Sequence, residues 1–138
     1  VKTPEFYGWR LGAPGASYRA FHVRAGDDIV AAAIGRVATL QGIPSLALLD
    51  LMVLEGEQEA LPALYAAIDR AAREAGVEAI VTMISRHQAR RHRLVRFGFL
   101  RSPFAFKLII RSVSDALEIE SISGEASWHL MWIDSDDL

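Results

Sequence analysis

The chain has 138 residues, 51% hydrophobic and 23% charged, with a formal net charge of -2. That length suits one domain with one core, and so much apolar side chain excludes an intrinsically disordered chain. The lack of cysteine excludes disulfide staples, thiolate-held zinc or iron-sulfur groups and a cysteine nucleophile.

Residues 1–17, including Phe6-Tyr7-Gly8-Trp9-Arg10-Leu11-Gly12, hold neither the helical nor the strand period for long and read as an opening segment. From Tyr18 the chain alternates Tyr18, Ala20, His22 against Arg19, Phe21, Val23, and Ala25-Gly26-Asp27-Asp28 supplies a turn, which predicts a strand and a hairpin. Ile29 to Leu40, rich in Val, Ile and Ala, is closed by Gln41-Gly42-Ile43-Pro44 and predicts a second hairpin. Leu46 to Leu54 is apolar on both faces of its alternation, the pattern of a central strand, and Asp50 interrupts it. No basic start precedes an apolar run, so no membrane or targeting segment is expected, and the expected location is the cytoplasm.

Leu61, Leu64, Tyr65, Ile68, Ala71, Ala72 and Ala75 recur at helical spacing and Gly76 stops them, which predicts a helix. Ala79 to Ile84 reads as a short buried strand, so strand, helix and strand form a right-handed crossover with parallel pairing. Ser85 can cap a second helix, Arg86 to about Phe97, ended by Gly98. A strand from Phe104 to Ile110 follows. Residues 112–126 are ambiguous, and Ser127 to Ile133 alternates its bulky residues as a final strand. Residues 18–133 thus hold the sheet and helices, and 134–138 form an acidic tail.

Three antiparallel strands, a helix, a parallel strand, a helix ending in Gly98-Phe99 and two more strands form an order that resembles the GNAT superfamily of acyl-CoA-dependent N-acyltransferases. The sharpest points are Asp50-Leu51-Met52-Val53, Arg90 to Phe99, and the final Trp-containing strand. Trp9-Arg10, Pro14 and Tyr18, with Trp128 and Asp134-Ser135-Asp136, look like the C-terminal half of a tandem GNAT-like protein. The fold implied is an α/β (α+β) domain with a mixed, mostly antiparallel sheet, one central parallel strand pair and flanking helices. The resemblance implies acetyl-CoA or another acyl-CoA as donor and a small-molecule amine as acceptor. Its pantetheine arm would pair with backbone near Met52 and Val53, where the central strands splay apart.

The family's pyrophosphate loop, Q/R-x-x-G-x-G/A, falls on Gln58-Glu59-Ala60-Leu61-Pro62-Ala63, with Leu61 where glycine belongs. Gln58, Glu59, Ala60, His87 and Arg90 are the further donor-contacting positions that the resemblance implies. Glu55, Glu57 and Glu59 crowd the same helix entrance. Two unit charges about 6 Å apart at an effective dielectric near 20 repel by roughly 3 kcal/mol, against about 0.3 to 1 kcal/mol gained from a helix dipole, so weak donor binding is expected. The same acids in a first turn also stabilise the helix itself.

Asp50 is the candidate catalytic residue. A carboxylate among Leu48, Leu49, Leu51 and Met52 should titrate high unless it finds a partner, which suits a general base; the alternative is a satisfied structural acid. Leu94 stands where the family places its general-acid Tyr, and His87 or Ser85 could assist or simply cap the helix. Arg86, Arg90, Arg91, Arg93, Arg96 and Arg101 occupy one acid-free stretch. With His87 and His92 they could hold a CoA phosphate or an anionic polymer, or form a solvated face paired with the acidic tail. Nucleic acid is not an expected partner, because the net charge is negative and no aromatic interleaves the arginines before Phe97. Asp134 to Asp137 lack the glycine and distant glutamate of a calcium loop, so no metal site is assigned. The functional readings are N-acyl transfer, a noncatalytic half that completes a site beside a companion GNAT domain or in a homodimer, and an anion-binding module.

Overall fold

In the computed structural model, residues 2–15, 17–103, 124 and 129–134 are described. The chain runs through α1 (Pro4–Leu11), β1 (Arg19–Ala25), β2 (Asp28–Leu40), β3 (Ile43–Val53), a 3-10 turn (Gln58–Ala60), α2 (Leu61–Glu74), β4 (Ala79–Thr82), α3 (Arg86–Arg91), and 3-10 turns at Leu94–Phe97 and Trp132–Asp134. The strands form one sheet in the order β1-β2-β3-β4, with β1, β2 and β3 antiparallel and β3 parallel to β4. This is a mixed sheet with the parallel strand pair that the sequence predicts, lying at one end of the described strand order.

Local chemistry explains each connection. β2 and β3 meet through Gln41 and Gly42, both at positive φ (51° and 81°), the geometry whose twist matches a two-residue hairpin. α2 buries Leu61, Leu64, Tyr65, Ile68, Ala71 and Ala72 along one stripe, and these join Leu46, Leu48, Leu51 and Val53 of β3 in a single core. Each large apolar side chain so buried contributes about 1.5 to 3 kcal/mol. No helix among the described residues is long and apolar enough to cross a membrane.

Three elements differ from the sequence reading. The opening segment contains a helix, α1, started by Thr3, whose hydroxyl accepts from Phe6 N–H at 3.3 Å, and by Pro4, Glu5 lying in its first turn. Capping, rather than periodicity, carries this short element; Phe6, Tyr7 and Leu11 pack onto the core while Trp9 stays outside. The helix expected from Arg86 to Phe97 breaks after Arg91: His92 caps it, Arg93 takes a left-handed conformation (φ 53°), and a 3-10 turn follows before Gly98 (φ 84°). The final strand shrinks, among its described residues, to one antiparallel bridge between Met131 and Ile84, followed by the turn Trp132–Asp134. The expected strand Phe104 to Ile110 and the ambiguous 112–126 stretch, apart from residue 124, lie outside the described residues.

The feature that positions the site is an irregularity in β3. Ile34 pairs with Asp50 but Gly35 with Leu48, so Leu49 is an extra residue, a bulge. A Cβ on Gly35 would come within 3.1 Å of the Ala47 carbonyl oxygen, which is why glycine faces the bulge. The ladder to β4 ends at Leu48 opposite Thr82, whose hydroxyl donates to the Leu48 carbonyl at 3.1 Å. β3 runs on to Val53 paired with β2.

Candidate functional site

Past the bulge, Leu54 N–H donates to the Val30 carbonyl at 2.9 Å. Peptide groups of an antiparallel strand alternate between its two sides, so Met52 and Asp50 also face β2, and Leu51 and Val53 turn theirs toward the side that β4 leaves. The backbone addressing that side therefore belongs to Leu51 and Val53, while the peptide groups of Met52 face β2. Two of the outward groups are engaged within the chain. Leu51 N–H donates to Asp50 Oδ1 at 3.0 Å, and Arg91 donates to the Val53 carbonyl at 3.4 Å.

Asp50 is fully buried and is the hub of this region. Its Oδ2 accepts from the Tyr7 hydroxyl at 2.5 Å and from Lys2 Nζ at 3.1 Å, and its Oδ1 lies 3.1 Å from His129 Nε2 besides accepting from Leu51. Burial raises the carboxyl, but the hydrogen bonds from His129 and Tyr7 and the Lys2 ammonium outweigh it and hold Asp50 at about 2. The high titration expected of a lone strand carboxylate is thus reversed, for the reason already open in the sequence: it finds partners. Such a carboxylate anchors neighbours at neutral pH and is poorly suited to take a proton.

The partners are drawn from both ends of the described chain. Tyr7 lies on α1, its hydroxyl also 3.6 Å from the Met52 sulfur, and burial followed by the Asp50 contact raises its phenol. Lys2 also bonds Asp134 at 3.1 Å, and Asp134 in turn accepts from Met131 N–H at 2.9 Å. Beside this cluster, the ring of His92 stands edge-on to that of His129 at 6.4 Å. His92 is 1% exposed with neither ring nitrogen hydrogen-bonded among the described residues, and burial, then His129 and Arg91, bring it down to about 4. Met131 and Ile133 are buried against the core, so residues 129–134 pack along β3 where β4 has ended.

The other residues singled out from sequence lie apart from this hub. Gln58, Glu59 and Ala60 form the 3-10 turn leading into α2, whose N-cap, Ala60, offers no side-chain cap. Glu59 pairs with Arg93 at 3.2 Å while staying exposed, and Glu55 and Glu57 are exposed beside it at this entrance. His87 and Arg90 are exposed on α3, whose N-cap is Ser85, accepting from Gln88 N–H at 3.2 Å. The arginine stretch is not one solvated face: Arg91 reaches Val53 and Arg93 reaches Glu59, while Asp134 bonds Lys2. The sequence reading missed Lys2, Tyr7 and His129, and placed Arg91 and His92 only in a possible anion-holding stretch. Thr3-Pro4-Glu5, a helix-start signature, was the available signal for the first two.

No family model matches the chain, and no curated protein matches it. Solved structures do. An aminoglycoside acetyltransferase from an uncultured soil metagenomic sample, in complex with sisomicin, superposes with a TM-score of 0.58 at 14% identity, over 80% of this chain and 76% of that one. A ribosomal-protein-alanine N-acetyltransferase from Brucella melitensis biovar Abortus 2308 gives 0.55 at 18% identity over 81% of each chain. A tetramutant protein from Bacillus halodurans gives 0.60 at 18% identity over 78% of this chain and 74% of that one. At such identities the likeness establishes a fold, and it is the one shared by these acetyltransferases.

Proposed function

We propose, from the fold it shares with these acetyltransferases, that the chain is an acyl-CoA-dependent N-acyltransferase of the GNAT kind. The carrying observation is the parting of β3 from β4 after Leu48 and Thr82, with the peptide groups of Leu51 and Val53 turned to the vacated side. An acceptor and a donor two residues apart, the Leu51 carbonyl and Val53 N–H, match the spacing at which an extended amide chain such as pantetheine pairs as a parallel strand would. The uncapped start of α2, with Gln58, Glu59 and Ala60 before it, would receive the pyrophosphate, since helix-end amides attract an anion. His87 and Arg90, exposed on α3, remain candidates for the donor's outer phosphates. The acceptor would be a primary amine.

The test is release of CoA thiol from acetyl-CoA in the presence of sisomicin or of a peptide that begins with alanine, the amine classes named for two structural neighbours. Amine-dependent release supports the reading, and none with either amine sinks it.

A second reading has its own support: a noncatalytic domain that completes a site beside a companion GNAT domain or a second copy. The internal use of Leu51 N–H and the Val53 carbonyl, the Glu55 and Glu57 carboxylates, and the packing of residues 129–134 along β3 all oppose donor entry. Calorimetry distinguishes the two. Acetyl-CoA binding weaker than about 1 μM but saturable fits the transferase, and no heat of binding up to about 1 mM fits the noncatalytic domain.

A further inference from the structure

We propose that His129, held in one orientation by Asp50, is the general base that takes the proton of the acceptor amine. This rests on the acyl-transfer reading above. Asp50 Oδ1 lies 3.1 Å from His129 Nε2, and an anionic acceptor there fixes the tautomer with the proton on Nε2, leaving the lone pair on Nδ1. Nδ1 makes no hydrogen bond among the described residues, and the His129 side chain is 35% exposed while that of Asp50 is 0% exposed. The ring therefore has one nitrogen anchored on a buried carboxylate while its side chain stays partly exposed. The anchoring oxygen also receives Leu51 N–H, so the imidazole stands at the vacated side of β3, beside the carbonyl with which the donor arm would pair.

The groups facing His129 suit this assignment. Asp50 favours the imidazolium that forms, as the third member of a catalytic triad does. Lys2 and Tyr7 spend their donors on Asp50 Oδ2, and Asp134 reaches the cluster through Lys2. His92 faces the ring at 6.4 Å, and its burial keeps it neutral, so it adds no opposing charge at neutral pH.

In the step proposed, an ammonium acceptor loses one proton to His129 Nδ1. The freed amine attacks the thioester carbonyl, the C–S bond breaks with its electron pair on sulfur, and the second nitrogen proton ends on the CoA thiolate as thiol. His129 then returns its proton to solvent. Asp50 touches neither reactant and is a positioning residue.

The experiment is a steady-state pH profile with acetyl-CoA and sisomicin for the intact chain and for His129→Gln and Asp50→Asn, with melting temperatures alongside. His129→Gln should fold, melt near the wild-type temperature, and lose roughly 100-fold or more in kcat/KM together with the acidic limb of the profile. Asp50→Asn should lower kcat/KM and mix the two ring tautomers read by NMR, which a purely structural anchor would not do. In His129→Ala, added imidazole should restore part of the rate. A His129→Gln variant that keeps kcat/KM within about threefold and the same acidic limb overturns the assignment while leaving the acyl-transfer reading intact. Nitrogen-resolved NMR of the wild-type ring reads the tautomer without turnover, and a proton on Nδ1 also overturns it. A wild-type chain that releases no CoA with any amine defeats the acyl-transfer reading and this one together.

Discussion

Ser45 to Leu48 and Leu49 to Val53 belong to one strand, and apart from Met52 both stretches are buried, yet the first is laddered on both sides and the second pairs with β2 alone. The first half holds Leu46, Ala47 and Leu48 and little chemistry beyond packing. The second holds a carboxylate and collects a phenol, an ammonium, an imidazole and a guanidinium from distant segments. Buried peptide groups need partners, so where a neighbouring strand departs, side chains must come in to satisfy them. In this sheet a backbone irregularity, rather than a polar sequence, gathers the reactive groups.

That contrast can be broken most forcefully in the laddered half. Leu48→Ala should cost about 3 to 5 kcal/mol in denaturant unfolding, because the side chain is fully buried and sheet neighbours on both sides limit collapse of the cavity. A loss under about 1 kcal/mol would show that the two halves are equally plastic.

In the open half the largest effect is on pH. His92 titrates at about 4 in the folded chain and near 6.5 when unfolded, so the unfolded state binds the extra proton between those values. Stability is fully present above pH 6.5 and falls by about 3 kcal/mol as pH drops toward 4. His92→Leu should abolish that slope and leave neutral-pH stability unchanged or higher, since it removes two ring nitrogens without partners among the described residues. Unfolding curves at stepped pH check it, and an unchanged slope in the variant refutes it.

Asp50→Asn should cost about 2 to 3 kcal/mol at pH 7, by weakening the contacts of Lys2, Tyr7 and His129 together. The wild-type carboxylate, lowered to about 2, contributes stability that is present above pH 3.8 and lost as pH falls toward 2. The smallest effect lies at the mouth of α2. Glu57→Gln should tighten acetyl-CoA binding two- to fivefold by calorimetry, about 0.4 to 1 kcal/mol. Glu59→Gln should do less, because Glu59 is already paired with Arg93. An equal gain from both would show that the ion pair is not formed in solution.

The parallel pairing was legible because Leu46 to Leu54 and Ala79 to Ile84 carry the apolar runs of covered strands and a stripe of seven apolar residues lies between them. Asp50 stood out by polarity alone, and its two fates, base or anchored acid, could not be separated without its partners. Those partners are invisible to periodicity. Lys2 and Tyr7 sit where capping chemistry makes a helix of only eight residues, and His129 sits in an alternating stretch that reads simply as strand. The break of α3 at Arg93 was hidden for another reason: nothing in Arg-His-Arg-Leu announces a left-handed residue, and tertiary packing overrides local propensity there.

The Asp50 hub also imposes an order of events on synthesis. Tyr7 and Lys2 precede Asp50 by 43 and 48 residues and are available when β3 leaves the ribosome, but His129 follows it by 79. At roughly 5 to 20 residues per second, about 4 to 16 s pass before that imidazole is made, and the emerging chain must meanwhile keep a carboxylate wet at the centre of its sheet. Final closure of the domain over Asp50 is therefore a late, post-emergence step of high sequence separation, the kind that slows folding.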